Sequence, residues 1–264
     1  MPDRPFAVVT GGSTGIGHAL ATQFASHGFD VLLAAENPQH LAEAALSLGG
    51  QGVAVDTHAA DLSTEDGVRS LHEALQRSGR AVDALCVNAG YGLGGAFVET
   101  DLQAELKMID LNCRGAVQLT KLVLRDMVAR DSGRILLTSS IAATMPDPFE
   151  AVYGATKVFL RWFGEALRNE LKDTGVHVTV LMPSVTDTNF FHRADMDDTK
   201  AGASDSKDDP AMVAKAGFDA LMAGKDKAVP SLKNKVMAAV ADALPDTVAA
   251  QVHRGMSEPG SARR

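Results

Sequence analysis

An apolar run, Phe6-Ala7-Val8-Val9, passes without a break into Thr10-Gly11-Gly12-Ser13-Thr14-Gly15-Ile16-Gly17, and an amphipathic segment from Ile16 to His27 follows at once. No other feature constrains the fold as strongly. A buried strand that ends in a glycine turn and opens a helix is the first part of a βα unit. Glycines there permit a tight turn and let the backbone approach a pyrophosphate closely. The helix N-terminus then offers unpaired N–H groups and the positive end of its dipole to the anion. The plain alternative is an ordinary βα turn, and the strand–turn–helix context argues against it.

The alternation continues along the chain. Short apolar runs recur at Val31–Ala34, Val53–Val55, Ala84–Val87, Arg134–Thr138 and Val176–Leu181. They show no period of two, as expected of strands buried on both faces. Helical segments lie between them at Pro38–Leu48, Glu65–Arg77, Leu102–Arg130 and Val152–Thr174. In the last, Phe159, Phe163, Leu167 and Leu171 form one stripe at a spacing of four, fit for either a sheet-facing core or an interface. The whole predicts an α/β fold, a doubly wound parallel sheet with helices on both faces.

A length of 264 residues suits one such domain, residues 1–264, with a core large enough to need no staple. The polar stretch Asp195–Pro210 is the main break in composition and reads as a mobile lid around 190–212. Residues 226–264 read as a C-terminal helical extension, with Val236–Ala243 as an amphipathic helix candidate. The balance of 25 Lys+Arg against 33 Asp+Glu excludes a general nucleic-acid binder. No apolar run reaches the length of a membrane span, and the N-terminus lacks a signal-peptide core. Two cysteines cannot make a disulfide scaffold, and the eight histidines show no ligand spacing. No metal is assigned, and a reducing, cytoplasmic compartment is expected.

Tyr153 and Lys157 stand four apart and share one helix face. A phenol is a poor base at neutral pH, and a nearby ammonium lowers its pKa. Tyr153 is then expected to exchange a proton with an alcohol or carbonyl oxygen. Ser140 lies 13 residues earlier, just past an apolar strand, where strand ends line a ligand crevice. Its hydroxyl can donate to that oxygen, and Ser139 is the competing candidate. Asn112 sits inside a long helical segment, where asparagine is a poor fit. A surface asparagine is its plain alternative.

Taken together, T-G-x-x-x-G-I-G, Asp61-Leu62, Asn88-Ala89-Gly90, Asn112, Ser140, Tyr153/Lys157 and Pro183–Thr188 resemble, in order, the motifs of the short-chain dehydrogenase/reductase family. The resemblance covers about residues 5 to 190. It implies a Rossmann-type, three-layer α/β/α domain that moves a hydride between NAD(P)(H) and a secondary alcohol or ketone. By the same resemblance Asn112, Ser140, Tyr153 and Lys157 are the catalytic tetrad. Asn112 bends its helix and holds a water in a proton relay from Lys157, while Lys157 also binds the cofactor ribose. The cofactor residues implied are Gly11, Ser13, Thr14, Gly15, Ile16, Gly17, Glu36, Asp61, Leu62, Asn88, Ala89, Gly90, Tyr153, Lys157, Pro183, Val185, Thr186 and Thr188. The family's P-G appears here as Pro183-Ser184. The resemblance also implies a homodimer or homotetramer.

Ala35-Glu36 at the end of the second strand matches neither the common NAD nor the common NADP pattern. Glu36 would repel a 2′-phosphate, with no obvious Arg to compensate, so NAD is the preferred cofactor expected. Tyr91, Met145, Pro146, Phe149 and Phe190, with Ser140 and Tyr153, are the expected substrate contacts, and Phe191 and Met196 continue the lid. Their chemistry suits an apolar substrate. Two other classes compete: a non-catalytic dinucleotide-binding regulator, and a related chemistry such as epimerisation or dehydration.

Overall fold

In a computed structural model, residues 4–231, 234–236 and 244–263 are described. Seven parallel strands form one sheet in the order β3-β2-β1-β4-β5-β6-β7. They are β1 (Phe6–Thr10), β2 (Asp30–Ala35), β3 (Val55–Ala59), β4 (Ala84–Val87), β5 (Gly133–Thr138), β6 (Val176–Leu181) and β7 (Lys227–Ala228). Helices α1 (Gly15–Ser26), α2 (Pro38–Leu48) and α3 (Glu65–Ser78) connect the first strands. α4 (Leu102–Ile109) and α5 (Ala116–Ala129) lead to β5, and α6 (Ala151–Glu170) leads to β6. α7 (Phe190–Arg193), α8 (Pro210–Met222) and α9 (Asp246–Ser257) follow among the described residues.

The apolar runs belong to strands of both side-chain parities because both faces are covered. Ala7, Val9, Val31 and Leu33 pack into one core with Leu20 and Phe24 of α1, Leu41 of α2 and Phe218 of α8. Phe6, Val8, Leu32 and Leu85 pack into the other with Leu71 of α3, Leu119 of α5 and Leu160 of α6. Each such fully buried Leu or Phe contributes about 1.5–3 kcal/mol. Local signals fix the helix ends. Thr64 accepts from Gly67 N, Glu65 and Asp66 occupy the first turn of α3, and Gly79 closes it in the left-handed region.

Four expectations need correction. The third strand lies at Val55–Ala59, not Val53–Val55; its VDTHA sequence is largely exposed at the sheet edge and lacks an apolar run. The Leu102–Arg130 helix is interrupted by a π-helical stretch, Asp110–Gly115, with Asn112 inside it. The Phe159–Leu171 stripe divides: Phe163, Leu167 and Leu171 join the core, while Phe159 stays 42% exposed. The tail, expected to be a helical extension, begins with a short strand, β7, paired in parallel with β6. The polar stretch 195–210 folds against the protein through buried Met196 and Ala201, which pack with Met256 of α9. Of the helix expected at Val236–Ala243, all beyond Val236 lies outside the described residues.

The strand order reverses between β1 and β4, which places a crevice at their C-terminal ends. Thr10 and Asn88 hold its two sides together. Thr10 Oγ1 accepts from Asn88 N at 2.9 Å and Ala89 N at 3.0 Å, and Asn88 Nδ2 donates to Thr10 O at 3.1 Å.

Candidate active site

A cavity of about 730 Å³ opens at this crevice. At one end lies the glycine turn. A Cβ on Gly17 would sit 2.1 Å from Gly11 O and 2.6 Å from Asn88 Nδ2, so only glycine lets α1 start this close to β1. Gly15 takes a φ of +56°. Thr14, the N-cap of α1, makes no side-chain cap bond, and no acid occupies the first turn. The first N–H groups of α1 are thus left for a ligand anion. This cradle fits a dinucleotide pyrophosphate.

Of the expected cofactor residues, Gly11, Ser13, Thr14, Gly15, Ile16, Gly17, Glu36, Asp61, Leu62, Asn88, Ala89, Gly90, Tyr153, Lys157, Pro183, Val185, Thr186 and Thr188 all line the cavity. Asn37 beside Glu36 caps α2 by accepting from Gln39 N and His40 N. Sequence reasoning missed Lys107. This α4 residue lines the same cavity, with Nζ 3.3 Å from Asp61 Oδ2 and 3.6 Å from Glu36 Oε1. Burial favours the neutral acid at Asp61, but hydrogen bonds from Ser63 and the Lys107 ammonium hold its carboxyl below the ordinary value. An acid–x–x–x signal could not have revealed this, because the three residues come from three separate connections.

The middle of the cavity holds Ser140, Tyr153 and Lys157. Ser140 Oγ accepts from Ala142 N at 3.1 Å, which aims the hydroxyl, and its interaction with the Tyr153 phenol favours the phenolate. Ser139 is spent elsewhere, donating to Lys157 O at 2.7 Å. Lys157 is 5% exposed and its Nζ donates to Thr138 O at 3.0 Å. Burial brings its pKa down to about 8. Burial also pushes the Tyr153 phenol up, the negative charge of Glu150 adds to that, and the Ser140 hydroxyl opposes it. The expected lowering of the Tyr153 pKa is therefore not met here: burial raises it.

Asn112 is fully buried, not a surface residue, and it lies behind the cavity wall. Its side chain accepts from Tyr91 N at 3.2 Å and donates to Tyr91 O and Thr156 Oγ1, each at 3.0 Å. The π-helical stretch carries Asn112 inward, so it braces the loop after β4 against α6.

Tyr91, Met145 and Phe190 line the substrate end, with the Phe190 ring 5.3 Å from that of Tyr153. Pro146 and Phe149 do not line the cavity. Phe149 takes a φ of +67° and its ring lies under the Arg254 guanidinium at 5.0 Å, turned away towards α9. Sequence reasoning also missed Glu150 and the α9 residues Val252, His253, Met256 and Ser257, all on the cavity wall. His253, assigned no partner from spacing, lies 2.8 Å from Asp147. Among the described residues Asp147, Glu150 and His253 are the one group that gathers three such side chains within 4.8 Å. Neither thiol is activated: burial pushes Cys113 up to about 11 and Cys86 higher still.

The family model for short chain dehydrogenase matches residues 5–199. The chain is 33% identical over 216 residues to an uncharacterized oxidoreductase of Staphylococcus saprophyticus, covering 81% of this chain and 90% of that protein. It is 35% identical over 185 residues to sulfoacetaldehyde reductase 2 of Chromohalobacter salexigens, covering 69% and 73%. Its structure is similar to that of a short-chain dehydrogenase from Sphingobium yanoikuyae in complex with NADPH, with a TM-score of 0.82, 27% identity and coverage of 90% and 92%. The chain belongs to the short-chain dehydrogenase family and is a nicotinamide-dependent oxidoreductase. No helix among the described residues is long and apolar enough to cross a membrane.

Proposed function

We propose that the enzyme interconverts a secondary alcohol and a ketone, with Ser140, Tyr153 and Lys157 as catalytic residues and Asn112 as their support. The observation that carries this reading is the Ser140–Tyr153 hydroxyl pair beside buried Lys157, in the same cavity as the glycine turn. When bound, the nicotinamide supplies or accepts the hydride. The chain's own residues handle the proton. The Ser140 hydroxyl donates to the substrate oxygen as charge develops there. The phenol, held protonated by burial, is suited to give its proton to a carbonyl oxygen during reduction. Lys157 supports the phenolate that this leaves and binds the ribose hydroxyls. A non-catalytic regulator would have no use for this hydroxyl pair.

NAD is the proposed preferred cofactor. Glu36 and Asp61 present two carboxylates to the adenosine end, and Lys107 supplies one ammonium between them. The excess negative charge disfavours a 2′-phosphate. Residues 190–212 are proposed to act as a lid and residues 226–264 as an extension that closes the substrate end; α7 over Tyr153 and α9 on the cavity wall support this. Exposed Leu102, Leu106, Phe159 and Trp162 on α4 and α6 support a homodimer or homotetramer. The two free cysteines suit a reducing, cytoplasmic compartment.

A panel of secondary alcohols and ketones, assayed with both dinucleotides by nicotinamide absorbance, tests the reading. Turnover with a higher kcat/KM for NAD(H) is expected. A higher value for NADP(H) would overturn the cofactor preference, and no turnover of any member would overturn the reaction.

A further inference from the structure

The substrate end of the cavity is closed by residues far apart in sequence. Asp147 and Glu150 come from the loop before α6, and each is 7% exposed. His253 and Ser257 come from α9. His253 Nδ1 lies 2.8 Å from Asp147 Oδ1, and Ser257 Oγ donates to Glu150 Oε2 at 3.1 Å. Asp147 Oδ2 is buried and has no hydrogen-bond partner among the described residues. Asp147 is pressed against the first turn of α6, where a Cβ on Gly154 would sit 2.5 Å from Asp147 Cβ. Gly154 is the residue directly after Tyr153.

Two buried carboxylates here face one imidazole. Buried charge is costly unless it is paired, and one imidazolium cannot pair both acids. Glu150, His253 and Ser257 stand on the cavity wall and Asp147 does not, so the acid that the imidazolium leaves unpaired, Glu150, is the one that faces whatever occupies the cavity beside Tyr153. The surrounding wall is apolar, made by Met145, Phe190 and Met256. Such a wall matches a ligand with hydrocarbon on most sides and a cation at one point.

We infer that Glu150, with Asp147 behind it and His253 and Ser257 beside it, is a binding subsite for an ammonium group, so that the alcohol or ketone handled at Tyr153 also carries an amine. The inference rests on the alcohol–ketone reading of the same cavity. A neutral hydroxyl offers no charge to draw the proton from Glu150, whereas an ammonium pairs with the carboxylate once the proton has left. A metal ion would have to displace the contacts that His253 and Ser257 already make, whereas an ammonium, with three N–H donors, needs only the remaining acceptor capacity of the carboxylates. Burial and the charge of Asp147 push Glu150 up to about 8. The groups facing it are Asp147, Tyr153, His253 and Ser257. Arrival of an ammonium ionises Glu150 and releases a proton.

The test compares octan-3-ol with 2-aminooctan-3-ol and 1-aminooctan-3-ol as substrates of the full chain with either dinucleotide. In parallel, octylammonium, octan-1-ol and zinc chloride are titrated calorimetrically into the wild type and Glu150→Gln. One of the amino alcohols is expected to exceed octan-3-ol in kcat/KM by about tenfold or more, and Glu150→Gln to reduce that ratio by a similar factor. Octylammonium is expected to bind more tightly than octan-1-ol, with a heat that depends on the buffer because a proton leaves. Equal use of all three alcohols by the wild type, which needs no variant to fold, would overturn the inference and leave the alcohol–ketone reading standing. Zinc binding that depends on Glu150, without any preference for the amines, would also overturn it. Glu150-dependent binding of octylammonium with no turnover of any alcohol would uphold the ammonium site and defeat the alcohol–ketone reading.

Discussion

Lys107 Nζ lies 3.3 Å from Asp61 Oδ2, which ties α4 to the segment that follows β3. The same ammonium reaches Glu36 at 3.6 Å. One cation thus spans two carboxylates on the wall where the adenosine end of a dinucleotide would lie.

This bridge sets the expected behaviour of cofactor variants. Lys107→Gln removes the ammonium that bridges the two acids, so use of NADP should fall more than use of NAD. Because the bridge is exposed, the effect should be modest, about three- to tenfold in kcat/KM, and should shrink as salt is raised. Glu36→Arg should act in the opposite direction and move the preference towards NADP by about tenfold or more. Steady-state kinetics with both dinucleotides at two ionic strengths checks both expectations.

Asn112 should matter first for stability. Asn112→Ala removes the side-chain partner of half-buried Tyr91 N and Tyr91 O, and one of the two hydrogen bonds of buried Thr156 Oγ1. A loss of about 2–4 kcal/mol in unfolding free energy is expected, together with a fall in rate as the loop after β4 loosens. Thr156→Val removes only one of these partners and should cost about 1–2 kcal/mol. Urea unfolding of the two variants measures the difference.

Glu150 should leave a mark on the pH dependence of stability. Its ordinary value is 4.5, and in the fold it is pushed up to about 8 by burial and by Asp147. Across that interval the folded state holds a proton that the unfolded state has lost. The stabilising contribution is therefore complete below the unfolded value and is lost as pH rises through the folded one. Asp147 and His253 are also raised, so they act with the same sign. Relative to wild type, Glu150→Gln should have a higher Tm at about pH 8.5 than at about pH 5.5. A difference in Tm that does not change with pH would contradict the assignment.

Much of this fold and site could be read along the chain because the signals are local. The Thr10–Gly17 turn, its neighbouring strand and helix, and the Tyr153/Lys157 pair each lie within one short segment. Asn112 was legible as a misfit in a helix, although not as a residue that hydrogen-bonds across to Tyr91 and Thr156. What escaped depends on contacts between distant segments. Lys107 meets Glu36 and Asp61 only when α4 is laid across the ends of β2 and β3. His253 meets Asp147 only when α9 returns over the cavity. β3 and β7 were misplaced or missed because edge strands need no continuous apolar run: β3 is exposed along most of its length and β7 has two residues. Phe149 looked like a pocket residue by composition, but its positive φ and the Arg254 guanidinium turn it elsewhere.

The central claim is that the Tyr153 hydroxyl carries the proton while other residues hold the dinucleotide. Tyr153→Phe removes that one oxygen and keeps the ring against Phe190. With a ketone that the wild type reduces, the rate should fall by about 10²–10⁴-fold, while dinucleotide affinity, measured by fluorescence titration, should change by less than about threefold. A variant that keeps most of its rate, or one that loses its dinucleotide instead, would contradict the account.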